Sequence, residues 1–162
     1  MPKINSSPGL ATFAAIVGTY FGCAAAPASA APADDACALL TKEDASAALG
    51  GGVTQTESKS GLEMGPGMTA ASCEYSGSGF HTIQLTLIRM TPETAAMYRS
   101  MCAQKTREGL TGLGDMSCWY DNEHEELQVI KGTTFFSIEL HGLKSPTEPI
   151  KAAAKSVSMR LK

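Results

Sequence analysis

The chain reads as an α+β domain, an antiparallel sheet with helices packed on one face and two disulfides, behind an export signal. Three observations predict this. Apolar residues alternate with polar ones at Ile83, Leu85 and Leu87 and again at Phe136, Ile138 and Leu140, the period-two pattern of strands with one buried face. Helix-start signals at Thr41, Thr91 and Ser145 are interspersed with hairpin turns rather than with parallel crossovers. Cys37, Cys73, Cys102 and Cys118 follow a secretory-type leader, and an even number of cysteines in an oxidising compartment is the composition of two bridges.

Residues 1–30 carry the three-part pattern of a signal peptide. Lys3 supplies the positive n-region, no acidic residue precedes Asp34, the stretch from Leu10 to Ala26 is mostly Ala, Val, Ile, Phe and Gly, and Ala28-Ser29-Ala30 suits a signal peptidase. Cleavage is expected after Ala30, which puts the mature chain in the periplasm or outside the cell. Pro27 and Pro32 follow the apolar run too soon for a spanning helix, which needs about 20 apolar residues. Cys23 after Gly22 suggests lipid attachment instead, but Tyr20 and Phe21 are bulky where such a signal wants Leu and a small residue, which favours cleavage. Residues 31–36 are expected to be a disordered Ala/Pro/Asp leader, and residues 37–162 one domain with a single core.

Within that domain, Thr41 caps a helix with Asp44 three residues on, and Gly50 to Gly52 end it after Leu49. Residues 53–72 are polar and Gly-rich, with Gly65-Pro66-Gly67 at their tip, and predict a mobile loop or irregular ribbon. Cys73-Glu74-Tyr75 opens a strand, Ser76 to Gly79 a turn, and the alternating segment at Ile83 to Leu87 the next strand. Thr91-Pro92-Glu93 then supplies a hydroxyl cap, a proline at the first helical position and an acid at the positive helix end. That helix is expected to reach about Arg107, with Met97 and Met101 on its inner side. After Gly109, Gly112 and Gly114 comes a strand at Met116 to Tyr120, then an acidic turn at Asp121 to Glu126. Leu127-Gln128-Val129, Lys131-Gly132 and the run from Phe136 to Leu140 predict a tight hairpin, Gly supplying the positive φ that primed turns require. Ser145-Pro146-Thr147-Glu148 reads as a capping box opening a last helix, with Ile150, Ala154, Val157 and Leu161 on one face.

Charge and motifs exclude more than they assign. Thirteen Lys plus Arg stand against sixteen Asp plus Glu, so clustered positive charge for nucleic acid or an anionic membrane is missing. His81, His124 and His141 are scattered, and no Gly-x-Ser-x-Gly, His-Glu-x-x-His or Cys-x-x-Cys motif occurs, so no enzyme, cofactor or metal centre is predicted. Four cysteines allow three pairings. Cys37 with Cys73 and Cys102 with Cys118 is the expected one, since each would tie a helix or its start to a strand that follows soon after.

Weaker signals each carry two readings. Met64 and Met68 with His81 offer soft ligands for copper(I), against ordinary packing of methionine. Cys102 and Cys118 could form a redox pair, against a structural bridge, which their wide spacing favours. The acidic turn around His124 offers carboxylates to a cation, against a solvated hairpin tip. Glu125 and Glu126, as adjacent strand residues, face opposite ways and make no acid–base pair. Trp119 and Tyr120 beside Phe135 form either an aromatic ledge for a ligand or, for Trp119, core packing over the Cys118 disulfide.

At Cys37-Ala38-Leu39-Leu40-Thr41, Ala47-Ala48-Leu49-Gly50, Ser72-Cys73-Glu74-Tyr75 and Gly112-Leu113-Gly114-Asp115 the chain resembles a loose group of small exported bacterial proteins and lipoproteins of unknown function, some of them similar to extracellular sensor domains of receptor kinases. The resemblance implies an α+β sandwich-like domain with a Cys37–Cys73 bridge and no catalytic residues to transfer. The expectation from the whole sequence is a non-enzymatic exported binding domain for an envelope protein or small molecule, using Trp119, Tyr120, Phe135, Met64, Met68 and the 53–72 loop. The alternative is periplasmic copper handling or thiol redox.

Overall fold

A six-stranded antiparallel sheet in the order β1-β2-β3-β6-β5-β4 organises the molecule: β1 (Thr54–Gly65), β2 (Met68–Ser76), β3 (Thr82–Arg89), β4 (Met116–Trp119), β5 (Glu126–Lys131) and β6 (Thr134–His141). The computed structural model describes residues 35–104 and 110–162, which belong to one compact unit. The expected signal peptide and its cleavage site, Cys23, the first part of the expected leader and the expected helix end near Arg107 fall on residues outside those described. No helix among the described residues is long and apolar enough to cross a membrane.

Register sorts the strands' side chains into two faces. On one face three apolar cross-strand rows stack: Ala71, Leu87, Phe136 and Val129; Cys73, Leu85, Ile138, Leu127 and Trp119; Tyr75, Ile83 and Leu140. Helices α1 (Ala36–Leu39), α2 (Lys42–Leu49) and α4 (Thr147–Arg160) cover them, inserting Leu40, Ala45, Leu49, Ile150, Ala154 and Val157. Each fully buried Leu, Ile or Phe contributes roughly 1.5–3 kcal/mol relative to exposure, so this layer holds most of the stability. Helix α3 (Pro92–Gln104) lies on the opposite face, where Ala95 and Tyr98 pack with Ala70, Ile88, Ile130 and Phe135.

Both expected disulfides are present. Cys37–Cys73 ties α1 to β2 with Cα atoms 5.0 Å apart, and Cys102–Cys118 ties α3 to β4 at 5.7 Å. The Thr41–Asp44 capping box forms with bonds in both directions. Thr91 caps α3 through its hydroxyl, which accepts from the Thr94 N–H at 3.3 Å.

Several expectations are corrected. Order begins before Cys37: Asp35 caps α1 and Ala36 is buried, so these two residues belong to the fold and not to a leader. Of the two readings of residues 53–72, the mobile loop is wrong and the irregular ribbon is right: they form most of a long hairpin, β1 and β2, turned at Pro66-Gly67 and interrupted by register shifts. β1 is an edge strand exposed along nearly its whole length, so neither of its faces needs apolar residues and no alternation marks it. Met97 and Met101 are about half exposed, Met101 at the edge where α3 meets the sheet; the buried face of α3 runs through Ala95, Tyr98 and Cys102. The β5–β6 turn falls on Gly132-Thr133, with Gly132 at φ 59°. The Ser145–Glu148 box does not form, because α4 begins at Thr147 behind Pro146, which has no side-chain acceptor.

Helices α2 and α4 are pinned by charge at their exposed ends. Burial opposes ionisation of Asp44, but the Arg160 guanidinium and the Thr41 backbone and hydroxyl donors outweigh it, and the carboxyl titrates below its ordinary value. Lys131 donates to the carbonyls of Ser158 at 3.0 Å and Leu161 at 2.6 Å, satisfying the last turn of α4.

Removing either bridge by paired Cys→Ala substitution is expected to lower the urea midpoint, by an amount equivalent to about 4 kcal/mol for Cys37–Cys73 and about 3 kcal/mol for Cys102–Cys118, from the lengths of chain they close. Because the Asp44 pKa is depressed in the folded state, the stability it contributes is present above its unfolded pKa of about 3.9 and is lost as pH falls through the folded value. Asp44→Asn is therefore expected to cost about 1 kcal/mol at pH 7 and to converge on the parent protein in acid, as read by urea melts across pH 2 to 7.

Candidate functional site

The second face of the sheet is the polar one, and register arranges it in four successive cross-strand rows. Ala70, Ile88, Phe135 and Ile130 form an apolar row; Ser72, Thr86, Ser137, Gln128 and Cys118 a hydroxyl, amide and sulfur row; Glu74, Gln84, Glu139 and Glu126 an acidic row; Ser76, Thr82 and His141 the last. Successive rows are two residues apart along each strand, about 7 Å. Helix α3 packs on the apolar row.

Where α3 meets the sheet there is a cavity of about 220 Å³. Tyr98, Met101 and Cys102 line it from α3, Tyr120 from the end of β4, and Gln128, Ile130 and Phe135 from β5 and β6. The Tyr98 and Phe135 rings are tilted at 55° with centroids 5.0 Å apart, within the separation of favourable aromatic pairs, a contact that helps fix the helix over its row. Two further ties hold α3: the Cys102–Cys118 bridge, and Arg99, which donates to the Gly132 carbonyl and pairs with Asp115 at 3.3 Å. The Asp115 carboxylate also accepts from the Gly132 N–H at 2.8 Å, and Gly114 beside it has no room for a side chain, since a Cβ would lie 2.7 Å from the Ile130 carbonyl oxygen. The rim is open, with Tyr120 55% and Met101 48% exposed.

Polar groups continue from the cavity across the face. Gln128 donates to the Glu126 carboxylate at 2.9 Å. Ser137, its cross-strand neighbour, is only 4% exposed. His141 stands 3.6 Å from both Glu125 and Glu139.

Of the residues singled out from sequence, Tyr120 and Phe135 line this cavity, one at its rim and one in its floor. Trp119 does not join them: it is 0% exposed on the opposite, helix-covered face. Nor does it pack over the Cys118 bridge, because adjacent strand residues face opposite ways; its indole stacks on His124, centroids 4.6 Å apart, and the indole N–H has no hydrogen-bond partner among the described residues. Met64 and Met68 stand near the hairpin tip, Met64 57% exposed and Met68 half-buried. His81 precedes β3, whereas Met68 lies beside that strand's far end, where Thr69 pairs with Arg89. Eight residues of β3, about 27 Å of strand, separate the histidine from the methionines, and the three do not converge.

The acidic turn is used internally. Asp121 accepts from the Glu125 and Glu126 N–H groups at 3.0 and 3.1 Å, and no group of three potential metal ligands assembles among the described residues. Sequence reasoning missed Gln128, Ser137, Glu126 and Glu139 as one surface, because only register brings them together. It also missed Phe80, 98% exposed at φ 64° in the β2–β3 connection, where the one legible signal was a large aromatic directly after a Ser-Gly-Ser-Gly turn. Comparison with known protein families, with curated proteins and with solved structures found no match.

Proposed function

We propose that this chain is a non-enzymatic binding domain that works in the periplasm or outside the cell, and that its contact face is the cleft between α3 and the polar face of the sheet. The observation that carries this reading is the apolar cavity floored by Phe135 and Ile130, open at Tyr120 and Met101, and continuous with hydrogen-bonding groups at Gln128 and Ser137. Ligand sites combine an apolar body with a few placed polar groups. The helices on the other face leave that cavity out of the core, so filling it with a ligand requires no rearrangement of the main apolar layer.

Export is supported by the leader pattern of residues 1–30 and by two disulfides, which persist in oxidising compartments. The resemblance to small exported bacterial proteins accords with a scaffold of this kind. The intact mass of the protein recovered from the cell envelope or medium is expected to correspond to a chain starting at Ala31 and lacking four hydrogens; a lipid on Cys23 or free thiols would contradict this.

Titration with a small neutral aromatic, p-cresol, is expected to shift the backbone amide signals of Tyr98, Tyr120 and Gln128. Met101→Glu, on an exposed position, is expected to change stability by no more than about 0.5 kcal/mol while weakening that binding at least tenfold. Shifts confined to the hairpin tip around Pro66, with none at the cleft, would refute this placement.

A further inference from the structure

We infer that the cleft of one molecule takes the Phe80 ring of a second copy of this chain, joining molecules head to tail. This rests on the cleft being the contact face and names its occupant. Phe80 is 98% exposed, and with Gly79 it forms two consecutive left-handed positions, at φ 64° and 72°. Glycine adopts that conformation freely, whereas a bulky side chain there is an outlier. The surroundings hold it in place. The Gly77 N–H donates to the His81 carbonyl at 2.9 Å and closes the connection, and Gly142, just past β6, packs so closely that a Cβ would lie 2.7 Å from the His81 ring and 3.2 Å from the Phe80 carbonyl oxygen. A large aromatic ring is thus fixed in solvent on a backbone better suited to glycine. Strained positions of this kind belong to contact sites, and burying the ring against a partner offsets the cost.

The cavity under α3 is the complement of that ring. At about 220 Å³ it is smaller than the roughly 300–1,000 Å³ of a site that engulfs a whole drug-sized ligand, and it suits a single ring. Tyr98, Tyr120 and Phe135 line it together with the Met101 thioether, and aromatic rings pack favourably on both kinds of group.

A molecule cannot fill its own cleft. Phe80 precedes Thr82, the first residue of β3, whereas the cavity floor lies beside Ile88, which pairs with Phe135; the six residues from Thr82 to Ile88 span about 20 Å of strand, beyond the reach of one side chain. The ring therefore comes from another copy. Ring and cleft are different surfaces, so the contact is heterologous, each molecule giving a ring to one neighbour and a cleft to the next. One ring buries far less than the roughly 1,600 Å² of a stable interface, which makes the association weak and reversible.

Sedimentation velocity and amide chemical shifts over a dilution series of the oxidised protein test this. The sedimentation coefficient is expected to rise with concentration, with shifts at Tyr98, Tyr120 and Gln128 on one surface and at Phe80 and His81 on the other. Phe80→Ala removes the ring and keeps the cleft; Met101→Glu blocks the cleft and keeps the ring. Each variant alone is expected to self-associate at least tenfold more weakly than the parent. Their equimolar mixture is expected to form a dimer with the parent's contact affinity, because each supplies what the other lacks. Excess p-cresol is expected to disperse the parent assembly. A parent that stays monomeric throughout, a mixture no better than either variant alone, or p-cresol bound at the cleft without effect on association would each overturn the Phe80 contact while leaving the cleft standing if p-cresol still shifts its amides. Absence of those p-cresol shifts would overturn both. Should a variant fail to fold, the p-cresol competition on the parent protein decides the matter alone.

Discussion

Side chains alternate across a β-sheet, and the molecule depends on how it meets that constraint. The central strands β3, β5 and β6 must place every second residue on each face. One face is apolar in three successive rows, up to the row of Arg89, Thr134 and Lys131 at its end, and takes α1, α2 and α4. The other is apolar only at one end, at Ile88, Ile130 and Phe135, so a single helix suffices to cover it and the rest is left polar. The cleft is the boundary between what α3 covers and what it does not.

That division gives the two disulfides different roles. Cys37–Cys73 joins a short first helix to a strand inside the larger core, where apolar burial already holds the parts together. Helix α3 has less to hold it: Ala95 is fully buried, Tyr98 partly so, and Met97 and Met101 are about half exposed. Its position therefore relies on the Cys102–Cys118 bridge, the Tyr98–Phe135 ring contact and Arg99 reaching the β5–β6 turn. A helix fixed by a few strong ties and little buried area leaves apolar surface open at its edge, and Tyr120 and Met101 are that surface.

The legible parts of the fold were those with a strong local cause. The alternation at Ile83, Leu85 and Leu87, the Thr41–Asp44 box and the Thr91-Pro92 start all appear where their chemistry requires. Edge strand β1 was illegible because polarity on both faces carries no period, and the inner face of α3 because two methionines one turn apart outweighed Ala95 and Cys102 in a hydrophobic reading. Tyr120 and Phe135 could be picked out as aromatics near one another in the strand order. Trp119 could not be assigned a face without the register, and the row from Gln128 through Ser137 to Glu126 and Glu139 exists only once β5 and β6 are paired.

The central claim is that α3 packs on the second face of the sheet, opposite the other helices. The most direct test is a proton NOE experiment on the oxidised protein, reading contacts from the Tyr98 ring. Cross-peaks from Tyr98 to the Phe135 ring are the expected result, at the 5.0 Å centroid separation of the two rings. Cross-peaks from Tyr98 to Ile150, Val157 or Leu140, which belong to the first face, would contradict it.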